Sequence, residues 1–138
     1  MVVAQGQGFP LNAGFTGRVP FNTSRGGLLE ATVEWTFASN DVDVALVRGD
    51  CSFAQLEAAQ CPILAFSLST TAKPERIRFD GAAAGSYTLF IENTGATNES
   101  VSFQVVLTPS ATASAAVLPD GGLSFQFKSP PRGFVELR

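Results

Sequence analysis

Apolar and polar residues alternate with a period of two along most of this 138-residue chain. In the segment LLEATVEWTF every second side chain is apolar, while the residues between them are Glu or Thr. Successive side chains of a strand point to opposite faces, so this pattern predicts a strand with one buried face. The predicted inward set is Leu29, Ala31, Val33, Trp35 and Phe37.

The same period recurs in four further segments, GSYTLFIEN, ESVSFQVVLT, PERIRFD and PILAFSLST. Turn-forming stretches such as NTSRGG and NTGATN separate them, and these connections are too short for helical crossovers. We therefore predict an all-β fold, a two-sheet antiparallel sandwich of jelly-roll type with about eight to ten strands. The inward residues predicted for two of these strands are Leu64, Phe66 and Leu68, and Ile77 and Phe79.

The length predicts one domain over residues 1–138, long enough to bury a core. Its central part is expected to span residues 26–109, preceded by an N-terminal segment, residues 1–25. After Pro109 the composition changes, and VLPDGGLSFQFK combines strong turn chemistry with alternating Leu123, Phe125 and Phe127. Residues 110–138 are therefore predicted to form a C-terminal hairpin extension.

Composition excludes several classes of function. The chain has no histidine, which rules out Ser-His-Asp and Cys-His machinery within it. Nine basic residues are scattered among twelve acidic ones, so no nucleic-acid surface is expected. No apolar run approaches the roughly 20 residues that span a bilayer. With only 15% charged residues, the surface must be rich in Ser, Thr, Asn, Gln and Gly. We expect an extracytoplasmic protein, secreted or at the cell surface, whose signal peptide has been removed.

Cys51 and Cys61 are the only cysteines, and nine residues separate them. Outside the cytosol they would form a disulfide worth roughly 2.5–3 kcal/mol on the chain-entropy model, whereas in the cytosol they would be buried thiols. Ser52 and Gln55 fit a capping box, and good helix formers follow. The sequence thus predicts one short helix inside a loop closed by a disulfide.

Four segments carry a family resemblance: GGLLEATVEWTFASNDVDVALV, CSFAQLEAAQCPILAFS, PERIRFDGAAAGSYTLFIENTG and ESVSFQVVLT. Their order and spacing, from Gly26 to Pro109, resemble the bacterial pre-peptidase C-terminal domain family. Members are secreted β-sandwich modules appended to proteases and other exported proteins. The resemblance implies an extracytoplasmic accessory module without catalytic residues of its own. Residues 1–25 and 110–138 lie outside the resemblance.

Asp41 and Asp43 share one face of a predicted strand, with their Cα atoms roughly 6.5–7 Å apart. Calcium takes six to eight oxygen ligands, and Asn40, Asp41, Asp43 and Asp80 could supply some of them. The pair could also be solvent-facing acids that protect a sheet edge from aggregation. A third reading is a pair of catalytic carboxylates of the kind that glycosidases use, although no cleft is evident in the sequence.

Arg48, Gly49 and Asp50 spell the integrin-binding tripeptide, but three residues recur easily by chance. The alternative is a turn that leads into the helix. Trp35 could stack on a sugar, although its position in the alternation predicts an inward side chain that packs in the core. Four phenylalanines have no clear strand frame or lie near the C-terminus, and these are our candidates for intermolecular contact: Phe9, Phe15, Phe21 and Phe134.

These observations favour a non-enzymatic, extracytoplasmic module that binds or positions a protein or polysaccharide, with calcium as its candidate cofactor. Two alternatives stay open at this point. One is a structural subunit that self-assembles into a fibre or surface layer by exchanging terminal strands. The other is a hydrolase that uses the acid pair.

Overall fold

A computed structural model of the chain describes residues 1–110, together with the backbone of residues 116–117 and 123–124. This described part consists mostly of strands, and a short helix lies between the fourth and fifth of them. In chain order the elements are β1 (Val2–Leu11), β2 (Thr16–Thr23), β3 (Gly27–Trp35), β4 (Val42–Arg48), α1 (Phe53–Glu57), β5 (Ile63–Ser67), β6 (Glu75–Ala82), β7 (Gly85–Asn93), β8 (Glu99–Pro109), β9 (Ala116–Val117) and β10 (Leu123–Ser124).

Two four-stranded antiparallel sheets form the sandwich. Sheet 1 has the order β1-β8-β3-β6, and sheet 2 has the order β2-β7-β4-β5. The first strand pairs with the eighth, the second with the seventh, the third with the sixth and the fourth with the fifth. This nesting is what a long hairpin produces when it rolls up into a jelly roll. The predicted fold class is confirmed.

The main core lies between the two sheets, where the alternating apolar residues of both meet. Most inward residues predicted for β3 and β6 are buried there, as are Val42, Val44 and Leu46 of β4. Two inward predictions are wrong because the strands end before them. Phe37 follows the end of β3, Leu68 follows the end of β5, and the side chain of each is 49% exposed.

Phe66 was predicted to face inward, but it packs in a separate small cluster that also contains Val47 and Phe90. A register irregularity between Leu46 and Val47 in the pairing of β4 with β5 accompanies this change. An irregular residue in a strand shifts the faces to which the following side chains point. The simple alternation therefore ends in this part of sheet 2.

The N-terminal segment supplies the edge strands β1 and β2 rather than an appendage to the sandwich. Phe21, proposed for intermolecular contact, is a core residue whose ring stacks on Tyr87 with centroids 5.7 Å apart. Pro20 weakens the strand pattern of β2 in the sequence, because proline cannot donate a hydrogen bond to a neighbouring strand. Proline is nevertheless tolerated on an edge strand. For the C-terminal extension, the backbone of β9 pairs antiparallel with β10, and the rest of that prediction lies outside the described residues.

Candidate functional site

A helix and a disulfide cover part of the outer face of sheet 2. Helix α1 begins at the N-cap Ser52, where both hydrogen bonds of the predicted capping box with Gln55 are present. The predicted disulfide joins Cys51 to Cys61, whose Cα atoms lie 6.3 Å apart. Cys51 is buried with Val47 and Phe90 in the small cluster on this face. The disulfide therefore closes the loop that positions the helix.

A groove runs across this outer face beside the helix. Strand residues from β4, β5 and β7 line it together with residues of α1 and the start of β2. Its apolar lining includes two exposed side chains, Phe53 and Leu68. The full lining is Gly14, Thr16, Asp43, Val44, Ala45, Phe53, Leu56, Glu57, Ile63, Leu68, Phe90 and Glu92.

Every charged side chain that lines the groove is acidic, namely Asp43, Glu57 and Glu92. The two ion pairs found within residues 1–110 join Arg18 to Asp50 and Lys73 to Glu34, so neither involves a groove carboxylate. An apolar surface carrying unpaired negative charge is complementary to a ligand with a cation next to apolar groups.

Asp43 also belongs to a tight cluster of three acids with Asp41 and Glu75. One carboxylate oxygen of each lies within 4.8 Å of one oxygen of each of the others. Asp43 lies at the start of β4 in sheet 2, Asp41 directly precedes that strand, and Glu75 is the first residue of β6 in sheet 1. The cluster therefore bridges the two sheets at one end of the sandwich.

Glu75 is the most buried member of this acid cluster, with 1% of its surface exposed. The Ser67 hydroxyl donates a hydrogen bond to its Oε2 atom, whereas its Oε1 atom is inaccessible to water and has no partner. Asp43 Oδ1 is likewise buried and unpartnered. Buried acceptors without donors are costly, so this arrangement is one that a cation or a proton would stabilise.

The electrostatics of the acid cluster are those of crowded carboxylates. Burial, followed by repulsion from Asp41, Glu92 and Glu75, raises the pKa of Asp43 from 3.8 to about 6. Burial also raises the pKa of Glu75; the hydrogen bond from Ser67 opposes this shift, and the charge of Asp41 adds to it. Both shifts raise the pH at which these acids lose their protons.

The structure does not bring the predicted calcium ligand Asn40 to this cluster. Its side chain is buried, and its amide Nδ2 donates to Asn93 Oδ1, to the carbonyl of Thr97 and to Glu99 Oε1. Its oxygen lies against Gly95, where an added Cβ would sit 1.2 Å away. Asn40 therefore anchors a loop through its amide nitrogen, and its side-chain oxygen is buried beside Gly95 without a hydrogen-bond partner.

Asp80, the fourth predicted ligand, is also outside the cluster. It lies five residues along β6 from Glu75, which corresponds to about 16 Å at the rise of a strand. Glu75 is the residue that the sequence reasoning missed. A signal was present, because the alternation in PERIRFD places Glu75 on the same inward face as Ile77 and Phe79.

The integrin-like tripeptide uses both of its charges within the molecule. The Arg48 guanidinium lies 5.7 Å from the ring centroid of Tyr87, and Asp50 pairs with Arg18. Arg18 Nε also donates to the carbonyl of Cys51 over 2.6 Å. The turn interpretation therefore accounts for these residues, and they help to hold the disulfide loop against β2.

The remaining aromatic candidates divide into buried and exposed residues. Trp35 is buried in the core, where its indole Nε1 donates to the Asn40 carbonyl, so it offers no sugar platform. Phe9 is half-buried and packs edge-on against Phe103. Phe15 is 64% exposed and lines a second groove between the edge strands β1 and β2. Phe134 lies outside the described residues.

No family model matches the sequence, and neither does any curated protein. Solved structures do match. A mitogen derived from Yersinia pseudotuberculosis superposes with a TM-score of 0.57 and 13% identity, covering 81% of this chain and 91% of its own. A periplasmic inhibitor of g-type lysozyme from Aeromonas hydrophila gives a TM-score of 0.53 and 13% identity, covering 78% of this chain and 87% of its own. Similarity at this identity shows a shared fold.

Within the described part of the chain, no helix has the length and apolar character needed to cross a membrane. The helix described is α1, and it has five residues.

Proposed function

We propose that this chain is a non-catalytic, extracytoplasmic module that binds a protein partner in the groove on the outer face of sheet 2. The observation that carries the proposal is the groove itself, in which exposed apolar side chains lie beside three carboxylates without a basic partner. The partner that fits is a protein segment presenting Lys or Arg next to aromatic or aliphatic residues.

The apolar lining and the acids would contribute in different ways. Phe53 and Leu68 are exposed, and covering them would supply the apolar part of the binding free energy. Asp43, Glu57 and Glu92 would steer a basic segment and fix its orientation, since charges at an interface act mainly on specificity and association rate. The disulfide keeps α1 in place, which lowers the ordering cost of binding.

An oxidising compartment outside the cytoplasm is supported by the disulfide and by the low content of charged residues. One structural neighbour with the same fold is described as periplasmic and as an inhibitor of a lysozyme, so a protein partner has a precedent on this fold. The resemblance to secreted accessory modules points in the same direction. The absence of histidine from the chain supports a role without catalysis.

The direct test is selection of binders from a random peptide library displayed on phage, with the full chain as bait. We expect enrichment of peptides that combine Lys or Arg with aromatic or aliphatic residues. The double variant Glu57→Gln, Glu92→Gln should bind them about tenfold more weakly, because each exposed charge contact contributes up to about 1 kcal/mol. The control Glu30→Gln, Glu34→Gln removes two carboxylates from sheet 1 and should bind like the parent.

Enriched peptides without basic residues, or equal binding by the groove variant and the parent, would contradict the proposal. A g-type lysozyme belongs in the same binding assay because of the structural neighbour. If the chain bound a component of a polysaccharide array and selected no peptides, a polysaccharide partner would be favoured.

The assembly alternative gains no support from the N-terminal strand. β1 pairs with β8 of the same chain from Val2 to Leu11, so the segment that would be donated already completes its own sheet. The hydrolase alternative would require that Asp41→Asn and Asp43→Asn abolish a detected hydrolytic activity.

A further inference from the structure

The acid cluster at the end of the sandwich carries a charge that the described protein groups do not balance. Asp41, Asp43 and Glu75 bring one oxygen each within 4.8 Å, and no Lys or Arg of residues 1–110 forms an ion pair with them. Exposed acids can share such a space because water solvates them. Glu75 lacks that solvation, since it is 1% exposed and sits inside the sandwich end.

The two orphaned oxygens are a separate observation that points to a ligand. Glu75 Oε1 and Asp43 Oδ1 are both inaccessible to water, and neither accepts a hydrogen bond. The hydrogen bond from Ser67 goes to the other oxygen of Glu75, so Oε1 remains available to the cluster. Buried polar atoms are nearly always paired, and an orphaned pair among three acids marks a place for a positive ligand.

We propose that Asp41, Asp43 and Glu75 bind a calcium ion that ties the start of β4 to the start of β6. The donor set consists only of carboxylate oxygens, which suits a hard cation and not zinc, whose sites rely on nitrogen and sulfur. The three carboxylates bring one oxygen each into the cluster, and their second oxygens or water could complete the six to eight ligands that calcium takes. Magnesium usually keeps several waters and uses one or two carboxylates.

The location gives the ion a structural consequence. Asp41 and Asp43 belong to the β4 end of sheet 2, whereas Glu75 belongs to the edge strand β6 of sheet 1. An ion bound by all three acids would join the two sheets beside the connection between β5 and β6, residues 68–74. Asp43 also lines the groove, so the ion would lower the negative charge of the groove wall.

The experiment is thermal unfolding of the full chain with a chelator, with calcium and with magnesium, together with calorimetric titration of calcium. We expect the melting temperature to rise by about 8 °C when calcium is at about 100 times its Kd. Each of the variants Glu75→Gln and Asp43→Asn should weaken calcium binding by more than about 100-fold. A residue that only contacts a ligand of the metal typically costs about 10–100-fold when it is replaced.

Glu92→Gln is the matched control, because Glu92 lies close enough to repel Asp43 but is not among the three ligands. Its affinity for calcium should stay within about tenfold of the parent, as expected when one exposed carboxylate near a divalent ion is removed. In chelator, Glu75→Gln and Asp43→Asn should melt at or above the parent temperature, which separates loss of the ion from loss of the fold.

An unchanged melting temperature in millimolar calcium would overturn the proposal. The three acids would then be stabilised by a proton that they share. Equal calcium responses of the parent and both ligand variants would also overturn it, since the ion would then bind elsewhere. The assay contains no partner, so its outcome is independent of the proposed function of the groove.

Discussion

Replacing Asp43 with asparagine should stabilise the protein at neutral pH when a chelator is present. The folded environment raises the pKa of Asp43 from 3.8 to about 6, chiefly through burial and then through the charges of Asp41, Glu92 and Glu75. Each pKa unit corresponds to about 1.36 kcal/mol, so ionised Asp43 costs the folded state at most about 3 kcal/mol. Water screens this half-buried side chain, and we expect about 1–2 kcal/mol.

The pH dependence has a definite sign. Because the folded pKa lies above the unfolded one, the folded state holds the Asp43 proton more tightly, and the parent loses stability as pH rises from about 4 to about 6. The Asp43→Asn variant has no ionisable group at this position, so it does not lose stability in this way as the pH rises. The difference in unfolding free energy should therefore be small below about pH 4, grow across this window and level off above about pH 7.

Urea unfolding followed by Trp35 fluorescence gives the difference curve, since Trp35 is the one tryptophan and is buried. Glu57→Gln serves as the control, because it removes a carboxylate from the helix outside the acid cluster. A variant that is less stable than the parent at pH 8, or a difference that does not change with pH, would refute the reasoning.

Three further predictions concern the fold. Replacing both cysteines with serine should lower the unfolding free energy by roughly 2.5–3 kcal/mol; equal urea midpoints before and after reduction of the parent would contradict this value. Gly95→Ala should cost about 2–4 kcal/mol in chemical unfolding, because its Cβ would fall 1.2 Å from Asn40 Oδ1. That cost should shrink in an Asn40→Ala background, and additive effects would argue against the clash. Phe21→Ala should cost about 3–5 kcal/mol, whereas Phe15→Ala should stay within about 0.5 kcal/mol, and similar melting temperatures for the two variants would contradict their placement.

Much of the architecture could be predicted from the sequence because side-chain alternation is a local signal. The inward residues of β3 and β6 follow directly from it, and so do the antiparallel sheets. Its errors lie where another rule takes over. Phe37 and Leu68 keep the alternation after the strand has ended, and Pro20 weakens the strand pattern of β2.

The candidate site was harder to predict because its members meet only through long-range pairing. Asp41 and Asp43 were visible as a pair, but Glu75 joins them from the other sheet. The same limit applies to Asn40, which looks like a ligand beside Asp41 until its partners are known, namely Thr97 in the β7–β8 loop and Glu99 at the start of β8. The groove brings residues of four strands and a helix together, and no local pattern indicates such a surface.

The central claim is that the groove on sheet 2 is the binding surface, and amide NMR of the labelled full chain tests it most directly. The titrant is the tightest basic peptide from the library selection. The account predicts that the amide shifts of residues 43–45, 53–57 and 90–92 change together, with one affinity that weakens as salt is added. Changes confined to the outer face of sheet 1 or to the groove between β1 and β2 would contradict it.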